Sequence, residues 1–149
     1  MNNLLDTKAL EKHVMSVYSK AVPLMKKDGI SMPLNTIFGI NTSSDNQGEF
    51  CFTDQEGYHF RIIERGNVLI DSITQSLSEI TYWAIKGEIS EASAIYEAKN
   101  RISNQDFRHI MFDKRIQYFE SISPEYAKMV NSEIETILQQ APFQDDLFK

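Results

Sequence analysis

The first thirty residues repeat apolar side chains every three or four positions, with charged and small polar side chains between them. This spacing predicts an amphipathic helix over residues 6–27. Pro23 should bend the helix, because an internal proline removes a backbone hydrogen bond, and Gly29 follows the last turn as a C-terminal cap. The predicted buried face comprises Leu10, Val14, Val17, Tyr18, Ala21 and Met25.

The helical spacing disappears after Leu34, where short β-rich runs alternate with turn residues as far as Ile73. Turn-forming sequences at residues 45–48, 54–57 and 64–67 predict an antiparallel meander. The predicted strands cover residues 34–40, 49–53, 57–64 and 67–71.

Alternation along the third predicted strand assigns its side chains to two faces, because neighbouring residues of a strand point in opposite directions. Three of them are apolar and should pack, whereas the other face is predicted to be mostly wet. The packed set is Tyr58, Phe60 and Ile62, and the wet set is His59, Arg61 and Ile63.

Helix signals return beyond Ile73. Ser76 and Ser103 are each followed three residues later by an acid, as in a capping box, and Ser123 precedes a proline suited to a first helical position. Four helices are predicted, over residues 76–87, 90–101, 104–121 and 124–140. Strands followed by helices, without βαβ alternation, predict an α+β fold with the helices packed on one side of the antiparallel sheet.

Composition constrains the number of domains and excludes some classes of protein. The 149 residues are 42% hydrophobic and 11% aromatic, which is enough for a packed core, and no Gly/Ser-rich or Pro-rich stretch divides them. We therefore expect a single domain over residues 1–149. The apolar runs are far shorter than the ~18–20 residues of a membrane span, and residues 1–6 carry no basic region typical of a signal or transit peptide. We expect no membrane segment.

Charge and cysteine content indicate the class of partner and the cell compartment. Fifteen basic and twenty-one acidic residues leave a net charge of −6, which disfavours nucleic acid as a partner and suits either simple solubility or a basic protein partner. Cys51 is the only cysteine, so an internal disulfide is excluded and a reducing compartment, the cytoplasm, is favoured.

Residues suited to catalysis or metal binding show no recognisable spacing. His13, His59 and His109 fall in three different predicted elements, and Cys51 lies between two phenylalanines, a setting that should bury its thiol. No glycine-rich phosphate loop is present, and no serine lies in a nucleophile elbow. We therefore expect no enzyme activity, no metal and no cofactor, although carboxylates converging in the fold would leave a small hydrolase or transferase as an alternative.

Opposite charges are concentrated where one late helix ends and the next begins. Glu97 precedes Arg101 by four residues, the favoured order for a helical ion pair, and Asp106 precedes Arg108 by two. These four residues are interpreted as an ion-pair cluster that fixes two helices, with a partner-binding site as the alternative.

Several short motifs follow one another over about residues 57–143. They are Glu64-Arg65-Gly66, Tyr82-Trp83, Tyr96-Glu97, Arg101, Asp106, Arg108, Phe112 and Pro142-Phe143. In the order and spacing of these motifs, the chain resembles the immunity protein 63 family of bacterial polymorphic toxin systems. The residues with marker roles are expected to be mainly structural, and Trp83 among them is interpreted as a core residue or as an interface anchor.

The resemblance implies an α+β cytoplasmic immunity protein that binds and neutralises a cognate toxin domain, for which a basic protein and a nuclease are candidates. A structural adaptor without a toxin partner is a further alternative. Three pairs of acids are candidate rims for the toxin interface, because charged rims steer encounter with an oppositely charged partner. They are Asp54 and Glu56, Glu88 and Glu91, and Asp145 and Asp146.

Overall fold

The predicted α+β class is confirmed by a computed structural model, which describes residues 3–40 and 47–148. The helices in this part of the chain are α1 (Thr7–Ser19), α2 (Val22–Lys27), α3 (Leu77–Lys99), α4 (Arg108–Glu120) and α5 (Pro124–Gln140). The strands are β1 (Ile37–Phe38), β2 (Gly48–Asp54), β3 (Gly57–Glu64) and β4 (Asn67–Thr74), and a 3₁₀ turn covers Asp145–Phe148. None of these helices is both long and apolar enough to cross a membrane.

The four strands form one sheet in the order β1-β2-β3-β4. β2, β3 and β4 are antiparallel as predicted, but β1 pairs in parallel with β2, so the prediction of a wholly antiparallel meander is wrong. Turn residues between two strands favour a hairpin, whereas strand direction is decided by tertiary pairing, which turn composition does not report. Of the turn predicted at residues 45–48, the first two lie outside the described residues.

Contacts divide the chain into two compact units. The first unit comprises the chain up to Tyr18 together with Pro33–Gly87, and the second comprises Ser19–Met32 and the chain from Glu88 onward. Helix α3 begins in the first unit and ends in the second. The expectation of a single domain remains a prediction.

In the first unit, α1 and the segment before it are tied to the sheet. Asp6 caps α1, accepting a hydrogen bond from the backbone N–H of Ala9 at 2.8 Å. The Tyr58 hydroxyl accepts one from the backbone N–H of Leu5 at 2.9 Å, and the Thr7 hydroxyl accepts one from the N–H of Thr53 at 3.0 Å. The fully buried side chains of this unit include Leu10, Val14, Cys51, Ile80 and Ile85.

In the second unit, Asp28 joins α2 to α4. Its carboxylate accepts a hydrogen bond from the Tyr118 hydroxyl at 3.0 Å and lies 3.1 Å from the Lys114 ammonium, which is buried and sits 4.0 Å from the centre of the Tyr96 ring. A buried lysine is tolerable here because a carboxylate and an aromatic face both compensate its charge. The apolar core includes Met25, Ile89, Ala92, Phe119 and Val130.

Two helix predictions are corrected. The single bent helix at 6–27 is two helices, because Pro23 has no N–H to donate and its ring would clash with the carbonyl of Ser19, where α1 ends. The predicted pair at 76–87 and 90–101 is one continuous helix, α3, because the apolar residues on both sides of Gly87 are buried and the helix carries through the glycine.

Helix starts were predicted with mixed success. Ser76 and Ser123 do cap α3 and α5, accepting hydrogen bonds from the N–H of Glu79 at 3.1 Å and of Tyr126 at 3.5 Å. Helix α4 begins at Arg108 instead of residue 104, because Asp106, and not Ser103, accepts a hydrogen bond from the first turn, at 3.0 Å from the N–H of Arg108.

Candidate functional site

Strand β4 is an exposed apolar edge of the sheet. It is last in the strand order, and no strand of the described chain pairs with its outer side. Four of its apolar side chains are between 42% and 58% exposed. They are Val68, Leu69, Ile70 and Ile73. An open edge with apolar side chains is a site where another chain can add a strand.

The ladder between β3 and β4 contains one irregularity. Ile62 lies opposite Ile70 and Ile63 lies opposite Val68, which leaves Leu69 as the extra residue of a β-bulge. From Ile70 to Thr74 the register is regular. The open edge therefore presents a regular stretch of five residues beyond the bulge.

A groove runs beside β4 on the face of the sheet that carries Phe60. It encloses about 170 Å³. The half-buried Trp83 of α3 forms part of its wall. Trp83 is therefore neither a fully buried core residue nor a fully exposed surface residue. The remaining lining side chains are Phe60, Ile62, Ile70, Ser72 and Lys86.

The opposite face of the sheet holds a polar array centred on His59. The ring nitrogens of His59 lie 2.8 Å from an Asp54 carboxylate oxygen, through Nε2, and 3.0 Å from one of Asp71, through Nδ1. Arg61 donates a hydrogen bond to the other oxygen of Asp71 at 3.0 Å. The His59 ring stacks on Phe52 with their centres 4.5 Å apart. We call Asp54, His59, Arg61 and Asp71 the His59 array.

The array corrects the prediction of a mostly wet face. His59 is 2% exposed and Ile63 is also buried, while Arg61 is half-buried over the Phe52 ring. Alternation placed these residues on the right face, but His59 and the Nη2 group of Arg61 pair with the carboxylates there, while the buried Nε of Arg61 has no partner in the described chain. The array was not predicted from the sequence, because its members lie on three strands and are brought together only by the pairing register of the sheet.

The array shifts the titration of its members. Burial lowers the pKa of His59, but hydrogen bonds to Asp71 and Asp54, and their charges, outweigh it and raise that pKa above 6.5. Burial raises the pKa of each carboxyl, but the hydrogen bonds that it accepts outweigh burial and bring the pKa below 3.8. These contacts thereby favour the charged imidazolium of His59 over its neutral form.

The array is arranged for charge pairing and not for proton transfer to a substrate. Both ring nitrogens of His59 already contact carboxylates of the same chain, so neither is available to a bound molecule as general acid or base. Within residues 3–40 and 47–148, no group of three or more His, Cys, Asp or Glu side chains is placed to hold a metal ion.

The Asp106 and Arg108 motif forms a clamp on the C-terminal tail. Arg108 donates hydrogen bonds to the Asp106 carboxylate, at 2.8 Å from Nη2, and to the backbone carbonyls of Ala141 and Pro142, at 2.7 and 2.8 Å. Asp106 accepts a further bond from the N–H of Gln144 at 3.1 Å. The Arg108 guanidinium, together with the backbone N–H groups of Arg108 and Gln144, holds the pKa of Asp106 well below its usual range.

Aromatic stacking completes this tail clamp. His109 stacks on Phe143 with ring centres 3.7 Å apart, and its Nε2 lies 3.0 Å from an oxygen of Asp145. Asp145 also accepts a hydrogen bond from the backbone N–H of Asp106 at 2.9 Å. Motifs that are more than thirty residues apart in the sequence therefore meet in one structural contact.

Glu97 and Arg101 form the predicted ion pair within one helical turn, at 2.7 Å. Glu97 is buried, but the Arg101 side chain is 64% exposed, and the contacts of Arg101 do not extend to Asp106 or Arg108. The predicted four-residue cluster is thus two separate pairs. Glu64-Arg65-Gly66 forms the predicted tight turn between β3 and β4, with positive φ at both central residues, as a type I′ turn requires.

The three candidate acid rims lie in different settings. Glu56 and Glu91 are exposed, but Glu88 is buried, so it cannot serve as an exposed rim residue. Asp54 belongs to the His59 array and Asp145 to the tail clamp. Asp146 is exposed in the terminal 3₁₀ turn.

Strand β4 was not predicted as a candidate surface. The three consecutive apolar residues Val68, Leu69 and Ile70 next to a predicted turn were the available signal, because an alternating strand should not expose such a run.

A comparison with protein-family models matches residues 54–136, just over half of the chain, to the family described as Immunity protein 63. The match covers β3, β4, α3 and α4, which contain the edge strand, the groove and most of the His59 array. Comparisons with curated proteins and with solved structures give no match.

Proposed function

Because this chain belongs to the Immunity protein 63 family, we propose that it binds a cognate toxin domain and neutralises it in the cytoplasm of the bacterium that produces the toxin. The observation that carries the proposal is the exposed apolar edge β4 with the Trp83 groove beside it. Apolar surface exposed in one place is typical of a site that another protein covers.

Charge supports a basic partner. The chain carries a net charge of −6, and opposite charge on a toxin would raise the rate of encounter at low ionic strength. Nucleases, which bind a polyanion, are one class of toxin with a suitable basic surface. The exposed acid Glu56 would lie at the rim, and the apolar edge β4 would provide the slowly dissociating centre.

Binding is favoured over a hydrolase or transferase activity by the geometry of the His59 array. Its carboxylates do converge, as the enzyme alternative requires, but they converge on a buried histidine that occupies them. A structural adaptor would use the same exposed apolar edge of β4, so only the identity of the bound partner separates an adaptor from a toxin inhibitor.

The test is to express the toxin domain encoded immediately upstream of this chain in a bacterial host, with and without the chain. We expect the chain to restore growth and to purify as a complex with that toxin domain. Association measured from low to high salt should slow as salt rises, because screening removes the attraction between opposite charges. Growth that stays arrested, with no complex at low salt, would reject toxin neutralisation and leave the adaptor as the better account.

A further inference from the structure

We infer that strand β4 binds an extended segment of the toxin as an added β-strand, with one large apolar side chain in the Trp83 groove and a basic residue near the 54–57 turn. The inference rests on the proposed function and specifies how the partner is held. Its starting point is the outer edge of β4, where no described strand takes up the backbone N–H and C=O groups.

The side chains of β4 favour a strand as the occupant. Devices that protect an edge strand, such as lysine or proline, are absent from Asn67–Thr74. Its one charged residue, Asp71, is paired with Arg61 and His59 of its own sheet. The bulge at Leu69 disturbs one end of the edge and leaves the regular stretch from Ile70 to Thr74 open for pairing.

The groove sets the size of the side chain that enters it. Ile70 and Ser72, two residues apart on one face of β4, both line it, so a paired strand would direct every second side chain toward the same space. Its volume of about 170 Å³ is close to that of an apolar cavity, about 150 Å³, known to hold a benzene ring. A phenylalanine, leucine or isoleucine side chain meets this requirement.

Charge indicates which end of β4 would receive the basic residue of the added segment. At the Thr74 end of β4 lies the turn between β2 and β3, with Asp54 and the exposed Glu56, and Gln75 donates a hydrogen bond to the backbone carbonyl of Glu56. At the Asn67 end, Glu64 is offset by Arg65 in the same turn. The acidic end therefore complements a basic residue of the toxin segment.

The same charges disfavour a second copy of this chain on the edge. Two copies would each carry −6, so their like net charge opposes association, whereas a basic toxin is attracted. A basic, mainly apolar segment of the toxin matches the edge both in charge and in apolar surface.

The first test measures hydrogen exchange of the backbone amides of β4, in the free chain and in complex with the purified toxin domain encoded immediately upstream. We expect slowed exchange within Ile70–Thr74 on binding. A complex that leaves these amides unprotected would overturn strand addition while leaving toxin neutralisation intact, and the lack of any complex would overturn both. Protection that rises with concentration of the free chain alone would assign the edge to a second copy and reject the toxin segment.

Substitutions provide the second test. Ile70→Lys should weaken toxin binding at least tenfold, because a lysine cannot be buried in the groove, and Leu69→Lys at the bulge offers a second variant if the first fails to fold. Ile102→Lys, at a comparably exposed isoleucine of the second unit, is the matched control and should bind normally. Glu56→Lys should slow association more than Glu135→Lys, which changes net charge equally on an exposed part of α5. Equal effects within either pair would overturn the placement on β4.

Discussion

Arg108 and Arg101 each pair with a carboxylate nearby in the sequence, yet their surroundings differ. Arg108 is 17% exposed, and its partner Asp106 is 2% exposed. Arg101 is mostly in solvent, although its partner Glu97 is buried. A pair that includes backbone carbonyls of the tail restrains more of the chain than a pair within one helical turn.

We predict that Arg108→Ala lowers the free energy of unfolding by about 3 kcal/mol, because it leaves the Asp106 carboxylate buried without its cation. Arg101→Ala should have a smaller effect. It also leaves a buried carboxylate, Glu97, but the lost cation is 64% exposed, so water screens this pair, and its hydrogen bonds go to Glu97 and not to the tail. Urea unfolding of both variants measures the difference. Equal losses for the two would show that the tail clamp is not the stronger contact.

The His59 array predicts a pH dependence of stability. The folded-state pKa of His59 is raised above 6.5, so its contribution is fully present below pH 6.5 and is lost as pH rises through the folded-state pKa. The pKa values of Asp54 and Asp71 are lowered below 3.8, so their contribution is present above pH 3.8 and is lost as pH falls through the folded-state values. The array therefore stabilises most between about pH 4 and 6.5.

His59→Gln removes this titration while keeping hydrogen-bonding groups at the site. We expect the unfolding free energy of the parent chain to fall more steeply between pH 6 and 8 than that of His59→Gln, measured by urea unfolding at each pH. Parallel curves would mean that His59 is not charged in the folded state. His109→Gln, on an exposed contact of the tail clamp, serves as the control.

At the scale of elements, two glycines have opposite roles. Gly57 closes the turn between β2 and β3 with φ of +138°, and a Cβ there would meet the backbone oxygen of Thr74 at 2.9 Å and the side-chain amide of Gln75. Gly87 lies inside α3, where a Cβ would meet only the Glu49 carboxylate, at 3.7 Å or more. The first glycine is required by its turn, and the second is not required by its helix.

We predict that Gly57→Ala lowers the free energy of unfolding by about 1–3 kcal/mol, because alanine is strained at positive φ. Gly87→Ala should raise it by up to about 1 kcal/mol, because alanine is the better helix former. Thermal melting of the two single variants compares them. A lower melting temperature for Gly87→Ala would show that α3 needs its glycine for a close contact.

Helix α3 and strand β4 also show how elements acquire their boundaries and surfaces. The sequence predicts two helices, over residues 76–87 and 90–101, where the structure has the single helix α3. A glycine such as Gly87 inside a helix costs only about 1 kcal/mol, which burial of Ile85 and Ile89 on either side outweighs. β4 has the composition of an interior strand, and the topology leaves it at an edge. Composition alone does not distinguish these positions.

At the scale of the whole molecule, acidic charge and apolar surface are separate properties with separate effects. The net charge of −6 acts over about a Debye length and influences the rate of encounter. The apolar edge β4 contributes only once the two proteins are in contact, and it lowers the rate at which a complex dissociates. A toxin inhibitor needs both, which is why the proposed interface combines an acidic turn with an apolar edge.

The sequence by itself determined the features that depend on neighbouring residues. Helical spacing, the serine caps at Ser76 and Ser123, and the turn at Glu64 act within a few residues, so the α+β class and most element positions followed from them. Its short motifs also identified the family. The Glu97 and Arg101 pair was predictable for the same reason, since one helical turn separates the two residues.

The tertiary structure alone decided the features that depend on distant residues. Without the bulge at Leu69, the turn at residues 64–67 would place Ile70 opposite Arg61, and Asp71 would lie on the other face. The bulge shifts the register by one residue and brings Asp71 to His59 and Arg61. Likewise the tail clamp joins Arg108 to residues more than thirty positions away. Such contacts depend on how the chain packs, because no local spacing encodes a one-residue shift or a meeting of distant segments.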